Sequence, residues 1–230
     1  MKQNTYEIEK NIEKILNNQS TGFLTKNITT EIKKRLKKNQ YQELIPYDGS
    51  EKNILYKGNP PKIILYKINC HNQLKHPSIL GSLFALNISQ DTFGDIIEYE
   101  NSFYIFVLKQ IAPLIKNELT MIDKYKITLN EVPLNTLNNF KRNYLEIEII
   151  VSSLRIDTII SRLIGCNREK IKELLKDKKI ILNYEPLNKP ERLLQENDIF
   201  SIKKYGKYRF DKIIGKTKKE NYIILIEKYI

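Results

Sequence analysis

The sequence has little of what metal sites and disulfide frameworks require. It contains two cysteines, Cys70 and Cys166, which stand far apart, and only two histidines, His71 and His76. Two isolated thiols cannot form a disulfide framework or a zinc knuckle, so we expect both to be small, buried hydrophobic residues. No nucleophile accompanies His76, and we expect neither a metal nor a catalytic residue.

Long apolar runs are also missing, because no stretch approaches the ~20 apolar residues that span a bilayer. The N-terminal residues 1–16 lack the apolar core of a signal peptide and carry acidic residues that a transit peptide avoids. Glycine and proline are few, eight of each, which is typical of a globular chain. We therefore expect a cytoplasmic protein with no membrane partner.

Positive charge is abundant and unevenly distributed. The formal net charge of the 230 residues is +12, and residues 151–230 hold 19 Lys and Arg against 11 Asp and Glu. Two-thirds of the excess positive charge thus lies in the last third of the chain. This asymmetry indicates an anionic partner for that third, nucleic acid before membrane, since no stretch combines a basic face with a wide aromatic one.

The stretch from Ser153 to Tyr184 predicts two short helices followed by a hairpin. Apolar residues at helical spacing end at Gly165, and a second amphipathic helix follows Asn167, a favourable N-cap. On that helix three cations recur every fourth residue and form one ridge. A β-rich run, residues 178–183, then leads to a turn around Tyr184 to Pro186.

Cations on a rigid surface are suited to bind phosphate oxygens, and we expect those of this region to share a single outward face. The alternative is that the lysines are merely a solvated helix face. Further on, residues 202–210 interleave cations with aromatics, a pattern that can pair phosphate contact with base stacking. The candidate RNA-binding residues are Arg155, Arg162, Asn167, Arg168, Lys172, Lys176, Lys178, Lys179, Asn183, Lys203, Lys204, Lys207 and Arg209.

The order and spacing of these residues resemble the S-four domain, a small RNA-binding fold named after the fourth protein of the small ribosomal subunit. The resemblance rests on residues 155–157, 167–170, 175–176, 180–183 and 196–199. The family usually has glycine where Lys178 and Asn197 stand. Asn tolerates the left-handed conformation of a tight turn, but Lys adopts it less readily.

The middle of the chain predicts the order strand, helix, strand, strand, helix, strand from Ile63 to Glu131. This is the ferredoxin-like, split βαβ arrangement, with both helices on one face of an antiparallel sheet. Phe103, Tyr104 and Phe106 on the third strand resemble the stacking residues of single-strand RNA readers. The basic residue and glycines of that motif are missing, so we expect core packing instead.

Residues 75–83, KHPSILGSL, and 92–96, TFGDI, resemble the signature of the middle domain of the YlmH family, bacterial proteins that join a ferredoxin-like domain to an S-four domain. Residues 151–155 and 215–219 resemble that family too. Gly81 would permit close approach of a strand or ligand to its helix, and Gly94 would let the chain turn into the next strand. We expect His76 to cap a helix or to contact RNA.

The expected fold class is α+β with four segments. These are a small N-terminal α/β segment at 1–60, a ferredoxin-like domain expected to bind RNA at 61–132, a linker helix at 133–150, and a C-terminal S-four (alpha-L) domain at 151–230.

The YlmH resemblance implies a non-catalytic, monomeric RNA-binding adaptor without cofactors that acts at the ribosome. Its partners would be rRNA and tRNA on stalled large subunits, together with the RqcH factor of the pathway that adds alanine tails to stalled chains. The alternatives are an RNA-modifying enzyme, since pseudouridine synthases and some methyltransferases carry an S-four domain, and a DNA-binding or cell-division adaptor. No Gly-rich cofactor loop supports the enzyme.

Overall fold

The computed structural model describes residues 2–183 and 185–230, without the side chains of residues 2–4 and 185. It contains two compact units, one running through Lys141 and the other from Arg142 to Ile230. The expected segments 1–60 and 61–132 therefore fold as one unit rather than two. Tyr184, at the centre of the predicted hairpin turn, lies outside the described residues. In the described part of the chain, no helix is long and apolar enough to cross a membrane.

The first unit begins with an α+β portion. Its elements are α1 (Lys2–Leu16), β1 (Leu24–Thr25), α2 (Lys26–Arg35), β2 (Gln42–Leu44) and β3 (Lys52–Tyr56). The three strands form an antiparallel sheet in the order β1-β3-β2. Ile15, Ile32 and Leu55 are fully buried between this sheet and the two helices.

The rest of the first unit has the predicted ferredoxin-like topology. Its elements are β4 (Ile63–Asn69), α3 (His76–Ala85), β5 (Phe93–Tyr99), β6 (Ser102–Leu108), α4 (Ala112–Glu118), a small hairpin of β7 (Met121–Ile122) and β8 (Tyr125–Lys126), and β9 (Thr128–Val132). The main sheet has the order β5-β6-β4-β9, and all its pairs are antiparallel. Each helix thus joins strands that are not neighbours, as a split βαβ unit requires.

Both faces of this sheet are covered. On one face, Ile79 and Leu83 of α3 and Ile115 of α4 pack on the strands. On the other face, residues from the N-terminal portion and from 137–140 form a second core. That core contains Phe23, Tyr47, Ile54, Leu65, Ile97, Tyr104, Phe106, Leu108, Leu137 and Phe140.

The second unit packs two helices on one sheet. Its elements are β10 (Tyr144–Val151), α5 (Ile156–Ile164), α6 (Arg168–Lys176), β11 (Ile180–Leu182), β12 (Glu185–Pro186), β13 (Ile199–Ile202), β14 (Gly206–Lys216) and β15 (Tyr222–Tyr229). The sheet order is β10-β15-β14-β13-β11-β12. Alternate strand residues such as Phe200, Phe210 and Ile226 are fully buried with Ile156, Ile159 and Ile160 of α5.

The prediction of a linker helix at 133–150 is wrong. A short 3-10 turn, Leu134–Leu137, precedes strand β10, which pairs with β15 along its whole length. The sequence of β10, YLEIEIIV, alternates in period two, so that Ile149 and Val151 face the core. β-branched residues in such alternation favour a strand over a helix.

Candidate RNA-binding surface

Helix α6 presents a row of cations to solvent. It begins at the N-cap Asn167, whose side-chain oxygen accepts a hydrogen bond from the Lys170 amide at 2.9 Å. Ile171 and Leu174 are buried, which orients the helix on the core. We call the exposed row Arg168, Lys172 and Lys176 the helix ridge. None of the three makes a salt bridge with a carboxylate of the described residues, so their charges are available to an external anion.

A second group of cations surrounds a shallow groove of about 680 Å³ at the ends of β11, β13 and β14. Strand pairing assembles it, because Ile181 lies opposite Ser201 and Ser201 opposite Lys207. A backbone bond from the Lys203 amide to the Lys179 carbonyl, 2.9 Å, joins the two loops. We call this feature the lysine groove; its lining residues are Lys178, Lys179, Ile181, Ser201, Ile202, Lys203, Lys204, Tyr205, Gly206 and Lys207.

The lysines of the groove differ in their pairing. Lys178, Lys203 and Lys204 are exposed, whereas Lys179 pairs with Asp177 at 2.5 Å. The Lys179 hydrogen bond is the largest of the effects that hold the pKa of the Asp177 carboxyl below its usual value. The ammonium of Lys207 lies 4.5 Å from the centre of the Tyr229 ring. Three of the five ammonium groups are thus the most accessible to phosphate.

The cations do not form the single face expected from the sequence. Residues two apart on an α-helix project about 160° from each other, so Lys170 and Lys172 leave α6 on nearly opposite sides. The pKa of Lys170 is raised, first by its hydrogen bond to Glu173 and further by nearby Tyr205 and Asp177. Tyr205 belongs to the lysine groove, so the groove adjoins Lys170, whereas Lys172 in the middle of the ridge points away from it. Lys176, the last residue of the ridge, lies near Asp177, the partner of Lys179.

The two arginines at helix α5 differ, because one forms an ion pair within the protein and the other is exposed to solvent. Arg155 forks onto Asp157 with hydrogen bonds of 3.0 and 2.6 Å, and the Thr158 amide donates to the same carboxylate. Burial opposes ionisation of Asp157, but these bonds together hold its pKa below the ordinary value. Arg162 is exposed on the last turn of α5. Asp157 therefore orients Arg155 at the start of the helix.

Three of the candidate residues have structural roles, and the sequence indicated only one of these roles, the N-cap of Asn167. Arg209 pairs with Glu227 within hydrogen-bond distance, lies over the Tyr144 ring and is only 17% exposed. Its charge is therefore already neutralised inside the sheet. Asn183 takes a left-handed φ of 50°, donates to Asp198 and accepts from the Ile199 amide. Its amide is used within the protein, as that of the cap Asn167 is, so we remove these residues from the surface.

The sheet of the first unit offers no open aromatic face. Phe103, Tyr104 and Phe106 are all buried, as core packing predicts, and Phe106 stacks on Tyr47 with ring centres 5.6 Å apart. Single-strand readers need exposed rings on this face to stack bases. The N-terminal portion covers Tyr104 and Phe106, and Phe103 packs against the helices on the opposite face, so a base cannot reach these rings.

The signature residues at 94–95 bind the N-terminal portion to this sheet. A Cβ on Gly94 would lie 2.9 Å from the Phe23 ring, so only glycine leaves room for it. The buried Asp95 carboxylate accepts bonds from the Tyr47 hydroxyl at 2.7 Å and from the Glu51 amide at 2.8 Å. This part of the signature therefore has a structural explanation within the unit.

The structure also shows the surroundings of Gly81, His76 and the two cysteines. A Cβ on Gly81 would meet nothing within 4 Å, so no strand among the described residues approaches it closely. His76 is exposed at the first residue of α3. Among the described residues no cluster of His, Cys, Asp or Glu is arranged to hold a metal. Cys70 and Cys166 are free thiols, half-buried against the two cores.

Tyr205 is a surface residue that is not among the candidates predicted from the sequence. Its ring is 39% exposed at the wall of the lysine groove. The alternation of cations and aromatics at 202–210 was the available signal, and the structure assigns Tyr208 and Phe210 to the core and Tyr205 to the surface.

Comparison with known proteins finds a family model, a curated relative and a solved structure that are similar to this chain. Residues 62–136 match the family model described as "Putative RNA-binding domain in YlmH". The chain is 30% identical over 156 residues to the ribosome-associated protein quality control protein P2 of Bacillus subtilis, strain 168, which covers 66% of this chain and 60% of that protein. It also resembles the structure of the cell division protein ylmH from Streptococcus pneumoniae, with 22% identity and a TM-score of 0.48, over 60% of this chain and 93% of that one. The matched part of the chain thus spans about three-fifths of the length of the curated relative.

Proposed function

We propose that the chain, whose matches support membership of the YlmH family, is a non-catalytic RNA-binding protein that acts at the ribosome. The observation that carries the proposal is the helix ridge, three exposed cations at four-residue spacing on one short helix. Rows of this kind bind the phosphates of folded RNA, which proteins recognise mainly by shape and backbone.

We further propose that the second unit is an S-four domain and that it binds rRNA and tRNA on stalled large subunits. Two helices followed by a short strand, with cations on the second helix, support the domain assignment. The Bacillus subtilis relative, a ribosome-associated protein quality control protein, supports the setting. In that setting the chain would act beside the RqcH tailing factor, as a monomer in the cytoplasm.

The RNA-binding residues of this proposal are those that the structure leaves at the surface. Arg168, Lys172 and Lys176 hold the phosphates of a stem, and Arg162, exposed in the last turn of α5, is a further cation available to RNA. Arg155 is the most constrained member, because Asp157 already pairs with it. The lysine groove forms a separate contact, whose nucleic-acid partner is considered below.

The test of the proposed function is release from the ribosome. The double variant Arg168→Glu with Lys172→Glu should lose cosedimentation with large subunits while remaining folded, because exposed substitutions change stability by only about 0.5 kcal/mol. Lys218→Glu with Lys219→Glu is the matched control. This double variant changes the net charge by the same amount as the ridge variant, but on the exposed turn between β14 and β15. It should still cosediment with large subunits.

Two results would contradict the proposal. The ridge variant could cosediment as well as the parent, or the control could be released to the same extent. Crosslinking in cells, followed by sequencing of the attached RNA, identifies the partner: large-subunit rRNA and tRNA are expected. A nucleotide modification that disappears in a knockout would instead favour an enzyme.

A further inference from the structure

The lysine groove contains an aromatic ring that phosphate binding does not require. Lysines alone are sufficient to hold a phosphate backbone, because an ammonium binds phosphate as a point charge. Tyr205 nevertheless projects from the turn between β13 and β14 and remains 39% exposed beside three exposed lysines. A large, partly exposed aromatic ring among cations is the arrangement on which nucleic-acid bases stack.

The turn that carries Tyr205 is held rigidly. The Tyr205 amide donates to the Ile202 carbonyl at 2.9 Å, and its carbonyl accepts a bond from the Tyr208 hydroxyl at 3.0 Å. Tyr208 is itself buried and stacks on Phe200 with ring centres 5.4 Å apart. The backbone of Tyr205 is therefore attached to the core of the unit, so a stacked base would not have to order the turn first.

The nature of the nucleic acid follows from what a stacking ring can reach. In a continuous duplex the bases are stacked on each other, and a protein contacts the backbone and the groove edges. An unpaired base in a bulge or loop can turn outward and stack on an aromatic side chain. A ring in the groove thus adds affinity only for RNA with an unpaired nucleotide.

The position of the groove is consistent with a separate RNA element. It adjoins Lys170, whose side chain leaves α6 on nearly the opposite side from Lys172 in the middle of the helix ridge. Lys178, Lys203 and Lys204 line the groove near the ring and can hold the phosphates on either side of one nucleotide. The ridge and the groove can therefore bind different features of one folded RNA.

We propose that the lysine groove binds an unpaired nucleotide of folded RNA, with the base stacked on Tyr205 and the flanking phosphates held by Lys178, Lys203 and Lys204. This inference rests on the proposed RNA-binding function and specifies the structure of the RNA that the second unit prefers. It assigns to Tyr205 a direct contact with the ligand.

The experiment compares two RNAs that differ in one nucleotide. One is a short stem with a single bulged 2-aminopurine, and the other is the same stem fully paired. The full-length chain should bind the bulged stem about tenfold more tightly, in the range that one stacked base contributes. Stacking on Tyr205 should also quench the 2-aminopurine fluorescence, and the chain has no tryptophan that would interfere.

Three variants separate the ring from its surroundings. Tyr205→Ala should lose both the preference and the quenching but keep the affinity for the paired stem. Tyr205→Phe should retain both, because the ring and not the hydroxyl provides the platform. Tyr6→Ala, which removes a tyrosine that is 69% exposed in the first unit, should behave as the parent does.

The outcomes distinguish this inference from the proposed function. If the parent binds both stems equally, or if Tyr205→Ala retains the preference and the quenching, the assignment of the groove is wrong. The ridge variant Arg168→Glu with Lys172→Glu should weaken binding of both stems in either case. If the parent binds neither stem, the RNA-binding function itself fails.

Discussion

At the residue scale, two positions where the S-four family that the sequence resembles usually has glycine adopt a left-handed backbone conformation. Lys178 has a φ of 51° and Asn197 a φ of 72°, both in the left-handed region. Asparagine tolerates this region, but a lysine there is strained by roughly 1 kcal/mol because its Cβ approaches the following carbonyl. Lys178 also lines the lysine groove. Its charge is therefore present at a cost in stability.

Substitution of Lys178 should separate these two effects. Lys178→Gly and Lys178→Ala remove the same charge, and both should weaken RNA binding to the same extent. The glycine variant should be more stable than the alanine variant by about 1 kcal/mol, because only glycine relieves the left-handed strain. Hydrogen exchange of the β11 and β13 amides measures this locally. Equal protection in the two variants would show that the turn is not strained.

At the element scale, the N-terminal portion and the ferredoxin-like sheet share one core. Phe23 packs against Gly94 and Phe106, and Tyr47 reaches Asp95 through its hydroxyl. These contacts join residues far apart in the sequence. They explain why the N-terminal portion is part of the first unit and why Tyr104 and Phe106 of β6 are not available to bases.

Two glycine-to-alanine substitutions test this docking. Gly94→Ala introduces a methyl group 2.9 Å from the buried Phe23 ring and 3.1 Å from the Phe106 Cβ. It should destabilise the first unit by about 1–3 kcal/mol and expose α1 and α2 to proteolysis. Gly81→Ala is the control, since nothing lies within 4 Å and alanine is the better helix former by up to ~1 kcal/mol. Thermal unfolding should therefore shift down for the first variant and up for the second. A Gly94→Ala protein as stable and as protease-resistant as the parent would contradict the docking.

Local patterns explain which elements could be predicted. The helices α5 and α6 follow from apolar spacing, Gly165 and the cap Asn167, and the ferredoxin-like order follows from alternating strand and helix patterns. Strand β10 was missed although its period-two pattern is visible, because a helix was assumed to link the domains. The burial of Tyr104 and Phe106 by the N-terminal portion could not be predicted, because it depends on Phe23 and Tyr47, which are distant in the sequence. The separation of ridge and groove likewise depends on strand register.

At the scale of the whole molecule, the excess positive charge follows the division into two units. The strongly basic last third corresponds to the second unit, where α6 and the lysine groove present their cations to solvent. The first unit has aromatic residues on its sheet but buries them. RNA recognition is therefore expected to depend mainly on the second unit.

The salt dependence of RNA binding by the full-length chain tests the central claim, that the helix ridge binds phosphates, most directly. Each phosphate contact contributes ~0.7–0.9 to the slope of log K against log salt. Arg168→Ala with Lys172→Ala should therefore reduce the slope by roughly 1.4–1.8. Lys218→Ala with Lys219→Ala, which removes the same charge elsewhere, should leave it unchanged. Equal slopes for the parent and the ridge variant, or an equal reduction in the control, would contradict the account.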